Sequence, residues 1–438
     1  MENEPLLMIP GPVPIPQRVR AAMTRQAINH RGPEFGAAYA DTVRTLKTLF
    51  GTANELYIIS GSGTAGMEAG VANFARDRKI VSLVNGKFGD RFAKIGARYG
   101  SVTALESEWG TPLDLDGLAR ELEAGAEVVT MVHNETSAGI KNPAPEVGKL
   151  ARKHDALFIM DGVTSIGGDD VRMDEWGVDV AVVGSQKCLA APAGLAAVAV
   201  SERAWDRISE KRPFYLDMAA YRKSGKSAPM ETPYTPAVPL FLALHEACRM
   251  IEEEGVGARI ARHHRMAAAV RAAAKGWGVD LFPKLDAYHA YSNTATAMRI
   301  PGGVTDKDLR GTVKKFGIEI AGGQDHLKGK IFRIGTMGGV KKGFRIYAVI
   351  AMMFALIFAF CVTAFAANND PLTTVNNLSD FIFGLIRAIG MILLGFGIVQ
   401  IGLSLKSHDP SQRANGFLTL AGGIIITFAK EILNLITG

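Results

Sequence analysis

Cysteine is scarce in this chain, with three in 438 residues. That excludes a disulfide-built scaffold and fits a reducing compartment. No lysine- or arginine-rich block stands out, and the net charge is only +6, from 49 basic and 43 acidic residues. Nucleic-acid binding is therefore not expected. The 48 glycines follow no collagen-like period. Internal repeats and low-complexity linkers are missing too. Residues Met1 to Arg18 hold five prolines and no apolar run of the kind that opens a secreted protein. A cytoplasmic location is expected on that ground.

What is present divides in two. Residues 1–336 carry 42 basic and 39 acidic side chains, against 7 and 4 in residues 337–438. In the first part, short apolar runs alternate with helix-period segments. Strands are expected at Glu55–Ser60, Lys79–Asn85, Val128–His133, Leu157–Asp161, Val180–Gly184 and Leu195–Val200. Helices are expected at Ala65–Phe74, Asp90–Tyr99, Leu115–Ala124 and Pro145–His154, then at Pro239–Gly255 and Ala258–Lys275. This alternation predicts an α/β domain with a mostly parallel sheet. The stretch Thr294–Ile334 adds a strand, a helix (Asp306–Phe316) and two strands, enough for a smaller α+β domain.

Open α/β sheets bind ligands at the carboxyl ends of their strands. Ser60-Gly61-Ser62-Gly63-Thr64 follows the first strand and enters a helix, a pattern that suits an anion at a helix N-terminus. An ordinary tight turn would read the same way. Phe88, in Asn85-Gly86-Lys87-Phe88-Gly89, is placed to lie on a planar ligand or to join the core. The run from His133 to Gly139 supplies hydroxyls. Asp161 closes a strongly apolar strand, where a carboxylate needs a cation, several donors or a capping role. Lys187 follows another apolar strand; desolvation there would lower its pKa and free a nucleophilic amine. Together a phosphate cradle, an aromatic plate, an acid and a lysine meet the needs of pyridoxal 5'-phosphate, with Lys187 as the Schiff-base lysine. No metal site is expected.

Six runs carry a family resemblance: Met8-Ile9-Pro10-Gly11-Pro12, His30-Arg31-Gly32-Pro33-Glu34-Phe35, Gly61-Ser62-Gly63-Thr64, Asn134-Glu135-Thr136-Ser137, Ser185-Gln186-Lys187-Cys188-Leu189 and Phe332-Arg333-Ile334-Gly335. In order and spacing, residues 5–340 resemble the class V pyridoxal-phosphate aminotransferases, in the branch of alanine–glyoxylate and serine–pyruvate enzymes. The resemblance implies the type I fold of PLP-dependent transferases. It implies that Lys187 holds the cofactor and that Asp161 pairs with its pyridinium nitrogen. Val163 and Phe88 would sandwich the ring. Ser62, Gly63, Thr64 and Gln186 would hold the phosphate, and Thr136 other polar groups. Arg333 would clamp the substrate carboxylate, a task for a planar guanidinium. The run Thr232-Pro233-Tyr234-Thr235-Pro236 matches a segment that reaches the neighbouring subunit's phosphate through Thr235, which implies a homodimer. Gly322–Lys330 contains no cysteine, which disfavours a cysteine desulfurase. By resemblance the substrates are serine or alanine with glyoxylate or pyruvate. An aminophosphonate transaminase on the same fold is the alternative.

The domains expected are 1–254 for the N-terminal segment and large domain, 255–340 for a truncated small domain, and 341–438 for an all-α hydrophobic tail. Ile346–Ala367 is 22 residues without a charge, long enough to span a bilayer at about 20 residues. Its basic flank and Ala364-Phe365-Ala366 give it the form of a cleavable leader. Helices are expected at 381–405 and 416–430. In this architecture the tail resembles a pilin-type subunit of conjugation or type IV secretion systems, which implies an inner-membrane partner and a fused, chimeric chain.

Overall fold

The computed structural model describes residues 5–339 and, in the tail, parts of 383–402 and residues 410–437. The chain divides into two compact units, Met1–Ile357 and Phe358–Gly438. The portions expected as large and small domains both fall in the first unit.

Seven strands form the central sheet: β1 (Glu55–Ser60), β2 (Lys79–Val84), β3 (Ser101–Glu106), β4 (Val128–Val132), β5 (Leu157–Asp161), β6 (Val180–Gly184) and β7 (Leu195–Val200), in the order β1-β7-β6-β5-β4-β2-β3. Strand β7 pairs antiparallel with both its neighbours; the remaining pairings are parallel. Strands β4 to β7 are buried along their whole length, as strands covered on both faces require. Their continuous apolar runs are what made them legible. Alternate side chains of β1 face two cores. Leu56 and Ile58 join Phe35, Tyr39, Leu46 and Phe241, from α1 (Pro33–Phe50) and α6 (Val238–Glu254). Tyr57 and Ile59 join Met67, Val71 and Phe74 of α2 (Gly63–Phe74), with Trp205.

Two elements begin earlier than periodicity predicts. Helix α2 starts at Gly63, because Ser62 is still extended (ψ 170°) and glycine takes the first helical position. Helix α3 (Lys87–Gly96) starts three residues before Asp90, so Phe88 stands on its first turn. Helices α4 (Leu115–Glu123) and α5 (Ala144–Lys153) lie within one residue of expectation.

The smaller subdomain holds α7 (Val256–Gly276), α8 (Asp306–Lys315) and an antiparallel sheet in the order β8-β10-β9, from β8 (Ala295–Arg299), β9 (Ala321–Gly322) and β10 (Ile331–Gly335). The N-terminus is tied to it. Leu6 and Leu7 pair in parallel with Ile318 and Glu319, and the Gly335 amide donates to the Met8 carbonyl at 2.7 Å. This threads Met8–Pro12 past the carboxyl edge of the large sheet.

In the second unit, α9 (Pro410–Thr427) is followed by α10 (Ala429–Thr437). Glycines let two backbones meet here. A Cβ on Gly423 would lie 2.6 Å from the Leu394 amide nitrogen, and one on Gly397 would lie 2.7 Å from that of Leu420. Arg387, which interrupts an apolar run, pairs with Glu431. Among the described residues no helix is long and apolar enough to cross a membrane. The membrane reading of 381–405, which lies partly outside the described residues, and of 416–430 gains no support from them: α9 has 18 residues and begins with the polar run Pro410–Asn415. The expected span Ile346–Ala367 lies outside the described residues.

Candidate active site

Strands β1, β5 and β6 end on the same edge of the sheet, β1 separated from β6 by the antiparallel β7, and each delivers one part of the site. After β6 comes Lys187. Its Nζ donates to the Pro10 carbonyl at 2.6 Å, so the N-terminal strap holds the amine in place. Gly11 is needed at that contact. Its φ is +94°, and a Cβ there would fall 2.5 Å from Lys187 Cδ and 2.7 Å from Nζ. Burial pushes the Lys187 ammonium below the usual lysine range, and the Asp161 carboxylate opposes that shift.

At the end of β5, Asp161 is 5% exposed. Burial pushes its carboxyl up to about 6, against the Val163 amide that donates to Oδ1 at 2.8 Å and the cations Arg91 and Lys187. Val163 then turns back over the sheet edge. A Cβ on Gly63 would lie 2.8 Å from Val163 Cγ2, and one on Gly184 would lie 3.1 Å from Gln186 Oε1 and 3.3 Å from Val163 Cγ1. Gly63, Val163 and Gln186 are thus brought to one place, and two glycines make the room. Ser62 is exposed before the first turn of α2 and its side chain caps nothing. The first amides of that helix point where an anion would sit.

The loop after β4 faces the same edge. Arg333 comes from β10 and is 5% exposed. It donates through Nε and Nη2 to the Gly322 carbonyl at 3.0 and 2.7 Å, and through Nη1 to the Thr136 carbonyl at 3.1 Å. Burial pushes its guanidinium down to about 10. Three of its five N–H groups are thereby engaged, which leaves donors for a carboxylate. Thr235 stands apart, exposed in the run Thr232–Pro236, where the Tyr234 ring stacks on Tyr215 at 5.5 Å.

Sequence reasoning assigned no role to Glu135 or Arg91. Glu135 is fully buried and accepts from the Phe88 and Gly89 amides at 2.9 and 3.0 Å, and from the Ser137 amide and hydroxyl at 3.1 and 2.6 Å. It therefore fixes the turn that presents Phe88. Arg91 lies one helical turn beyond Phe88 and covers its ring, with Cζ 4.9 Å from the centroid. The i, i+3 spacing on an early helical turn was the available clue. Cys188 and Cys248 are buried thiols pushed up to about 12, as small hydrophobes in a core would be.

Do these residues fit pyridoxal phosphate? Thr136 Oγ1, Gln186 Oε1 and Asn134 Oδ1 are buried with no hydrogen-bond partner among the described residues. Such atoms are costly unless a ligand meets them. With a desolvated lysine, a buried acid and an open helix N-terminus beside them, the donor set matches a phosphorylated pyridine. The residues fit.

Comparison with known proteins agrees. The model of the family "Aminotransferase class-V" matches residues 16–351. An uncharacterized aminotransferase of Methanocaldococcus jannaschii is 44% identical over 341 residues, covering 76% of this chain and 88% of that one. Serine–glyoxylate aminotransferase of Arabidopsis thaliana is 34% identical, covering 77% of this chain and 86% of that one. Among solved structures, ureidoglycine–glyoxylate aminotransferase of Bacillus subtilis superposes with a TM-score of 0.76 at 34% identity, covering 81% of this chain and 93% of that one. The pilin-like resemblance of the tail, and with it the fused-chain reading, gains no support.

Proposed function

The chain belongs to the class-V aminotransferase family, a family of pyridoxal-phosphate enzymes, and from that premise we propose that it moves an amino group between serine or alanine and glyoxylate or pyruvate. The names of the relatives support glyoxylate as acceptor, since serine–glyoxylate and ureidoglycine–glyoxylate enzymes both match over more than three quarters of this chain. The site assignment is supported by Lys187 and Asp161 following neighbouring strands at one sheet edge, with Arg333 bonded to the Thr136 carbonyl on the loop that faces that edge.

Bound pyridoxal phosphate supplies a carbonyl for amine exchange and a ring that delocalises the electron pair left when the substrate α-carbon loses its proton. This chain's residues do the rest. Lys187 supplies the amine that holds the cofactor; once displaced by substrate, that amine takes the α-proton and returns it. Asp161 stays ionised against a protonated pyridine nitrogen. Phe88 and Val163 keep the ring flat between them, and Glu135 keeps Phe88 in place. Ser62, Gly63, Thr64 and Gln186 hold the phosphate, with Thr235 reaching the partner's site in a homodimer. Arg333 binds the substrate carboxylate in bidentate fashion.

Borohydride reduction followed by peptide mapping tests the assignment. The cofactor mass is expected on Lys187, and a label on any other lysine refutes it. Substrate profiling with serine, alanine and aminophosphonates tests the substrate class. Turnover with the aminophosphonate alone would sink the serine or alanine reading.

A further inference from the structure

The side chains assigned to the cofactor phosphate, those of Ser62, Gly63, Thr64, Gln186 and Thr235, are all neutral. A phosphate monoester carries about −1.5 to −2 charges at pH 7. Helix N-terminal amides favour that charge, but by only about 0.3–1 kcal/mol in exposed settings. Three cations gather around the site. Lys187 is committed to the carbonyl end of the cofactor. Arg333 lies toward the substrate end and spends three donors on carbonyls. The third is Arg91. Its Nη1 donates to Thr64 Oγ1 at 3.2 Å. No carboxylate pairs with it among the described residues. Its field also acts on Asp161 and Lys187, so its charge lies within reach of the whole site.

We infer that Arg91 is the counter-charge of the cofactor phosphate and acts through the Thr64 hydroxyl. This rests on the cofactor reading above. The geometry gives the route. A hydroxyl that accepts from a guanidinium has its own hydrogen free to donate. Thr64 Oγ1 therefore keeps its proton available for an anion at the N-terminus of α2. The positive charge behind it strengthens that donation. The Phe88 ring under the guanidinium holds Arg91 at this distance. Phe88 does not need Arg91 in return, because Glu135 already fixes the Phe88 and Gly89 amides. Arg91 is thus a positioning residue for phosphate recognition and not for the ring.

The test compares pyridoxal phosphate with pyridoxal, which lacks the phosphate, by titration into full-length chain freed of cofactor. Arg91→Gln is expected to weaken pyridoxal phosphate about tenfold or more and to leave pyridoxal within about twofold. Arg91→Lys, which keeps the charge and loses the planar fork, is expected between Gln and wild type. In a Thr64→Val background the cost of Arg91→Gln should largely vanish, since the route is already cut. Equal losses for both ligands, or no loss for the phosphorylated one, would overturn the role. An undiminished cost in the Thr64→Val background would overturn the route. A wild-type chain with no preference for the phosphorylated ligand would instead sink the cradle assignment itself, so the two failures are distinguishable.

Discussion

At the scale of the residue, the site is built from groups that are unfavourable until the ligand is bound. Asp161 is the clearest. Its carboxyl is raised above the usual aspartate range to about 6 by burial. A raised carboxyl pKa means that the folded state holds the proton more tightly than the unfolded chain. Between pH 4 and 6, roughly, the cofactor-free protein therefore loses stability as pH rises, by about 3 kcal/mol in all. Asp161→Asn keeps the acceptor for the Val163 amide and removes the charge. The cofactor-free variant should be more stable than wild type at pH 7 and equal to it near pH 4, by denaturant unfolding at both pH values. Its stabilisation by added pyridoxal phosphate should be much smaller. A variant less stable than wild type at pH 7 would contradict this. Gly11 is a second case. Gly11→Ala at φ +94° strains the backbone and drives a methyl into the Lys187 stem. The expected result is near-complete loss of turnover with a fold unchanged by circular dichroism. Turnover within tenfold of wild type would show that the strap does not seat the lysine. Lys187 and Asp161 were legible in the sequence because Asp161 ends an apolar strand and Lys187 closely follows one, where a charge stands out. The roles of Gly11 and Glu135 were not, because they depend on partners far away in the chain. Gly11 meets Lys187, and Glu135 meets the amide of Phe88.

At the scale of the element, strand and helix positions followed from periodicity wherever packing enforces it. Strand β3 escaped because it is an edge strand. Its sequence Ser-Val-Thr-Ala-Leu-Glu is half exposed, and its pairing with β2 is the only thing that makes it a strand. Helix α1 lies before the first clear strand and was read only as a motif. The loop from Gly322 to Lys330 was read for what it lacks, a cysteine. The structure gives it a task. Asp325, held at φ +47°, pairs with Lys87 Nζ at 2.6 Å. The ring of His326 lies 4.6 Å from that of Trp109. The first contact clasps the subdomain loop to the turn that carries Phe88, and the second to the segment after β3. The same loop begins at Gly322, whose carbonyl receives Arg333. Exposed ion pairs contribute roughly 0.2–1 kcal/mol, so the clasp is weak enough to open. Asp325→Ala should raise KM for the oxo acid up to about fivefold and leave kcat within about twofold, because it loosens the carboxylate clamp and not the chemistry. An equal fall in kcat with unchanged KM would place the loop in a different role.

At the scale of the whole molecule, the fall in charge after residue 336 marked a change in character, and the expected boundary at 340 follows it closely. The described residues of the first unit end at 339, and the family model matches on to residue 351. Every residue assigned to cofactor or substrate lies between Ser62 and Arg333, and the strap that seats the lysine begins at Leu6. The second unit contributes none of them. A chain ending at Ile357 should therefore bind pyridoxal phosphate with wild-type affinity, reduce onto Lys187 with borohydride and unfold in a single transition. The same chain ending at Gly339 lacks the last 12 residues that the family model matches, 340–351. It should keep the fold of the central sheet and show a lower Tm. If the chain ending at Ile357 failed to bind the cofactor while the full chain bound it, the tail would be part of the enzyme. The site would then depend on residues that neither its motifs nor its geometry reveal.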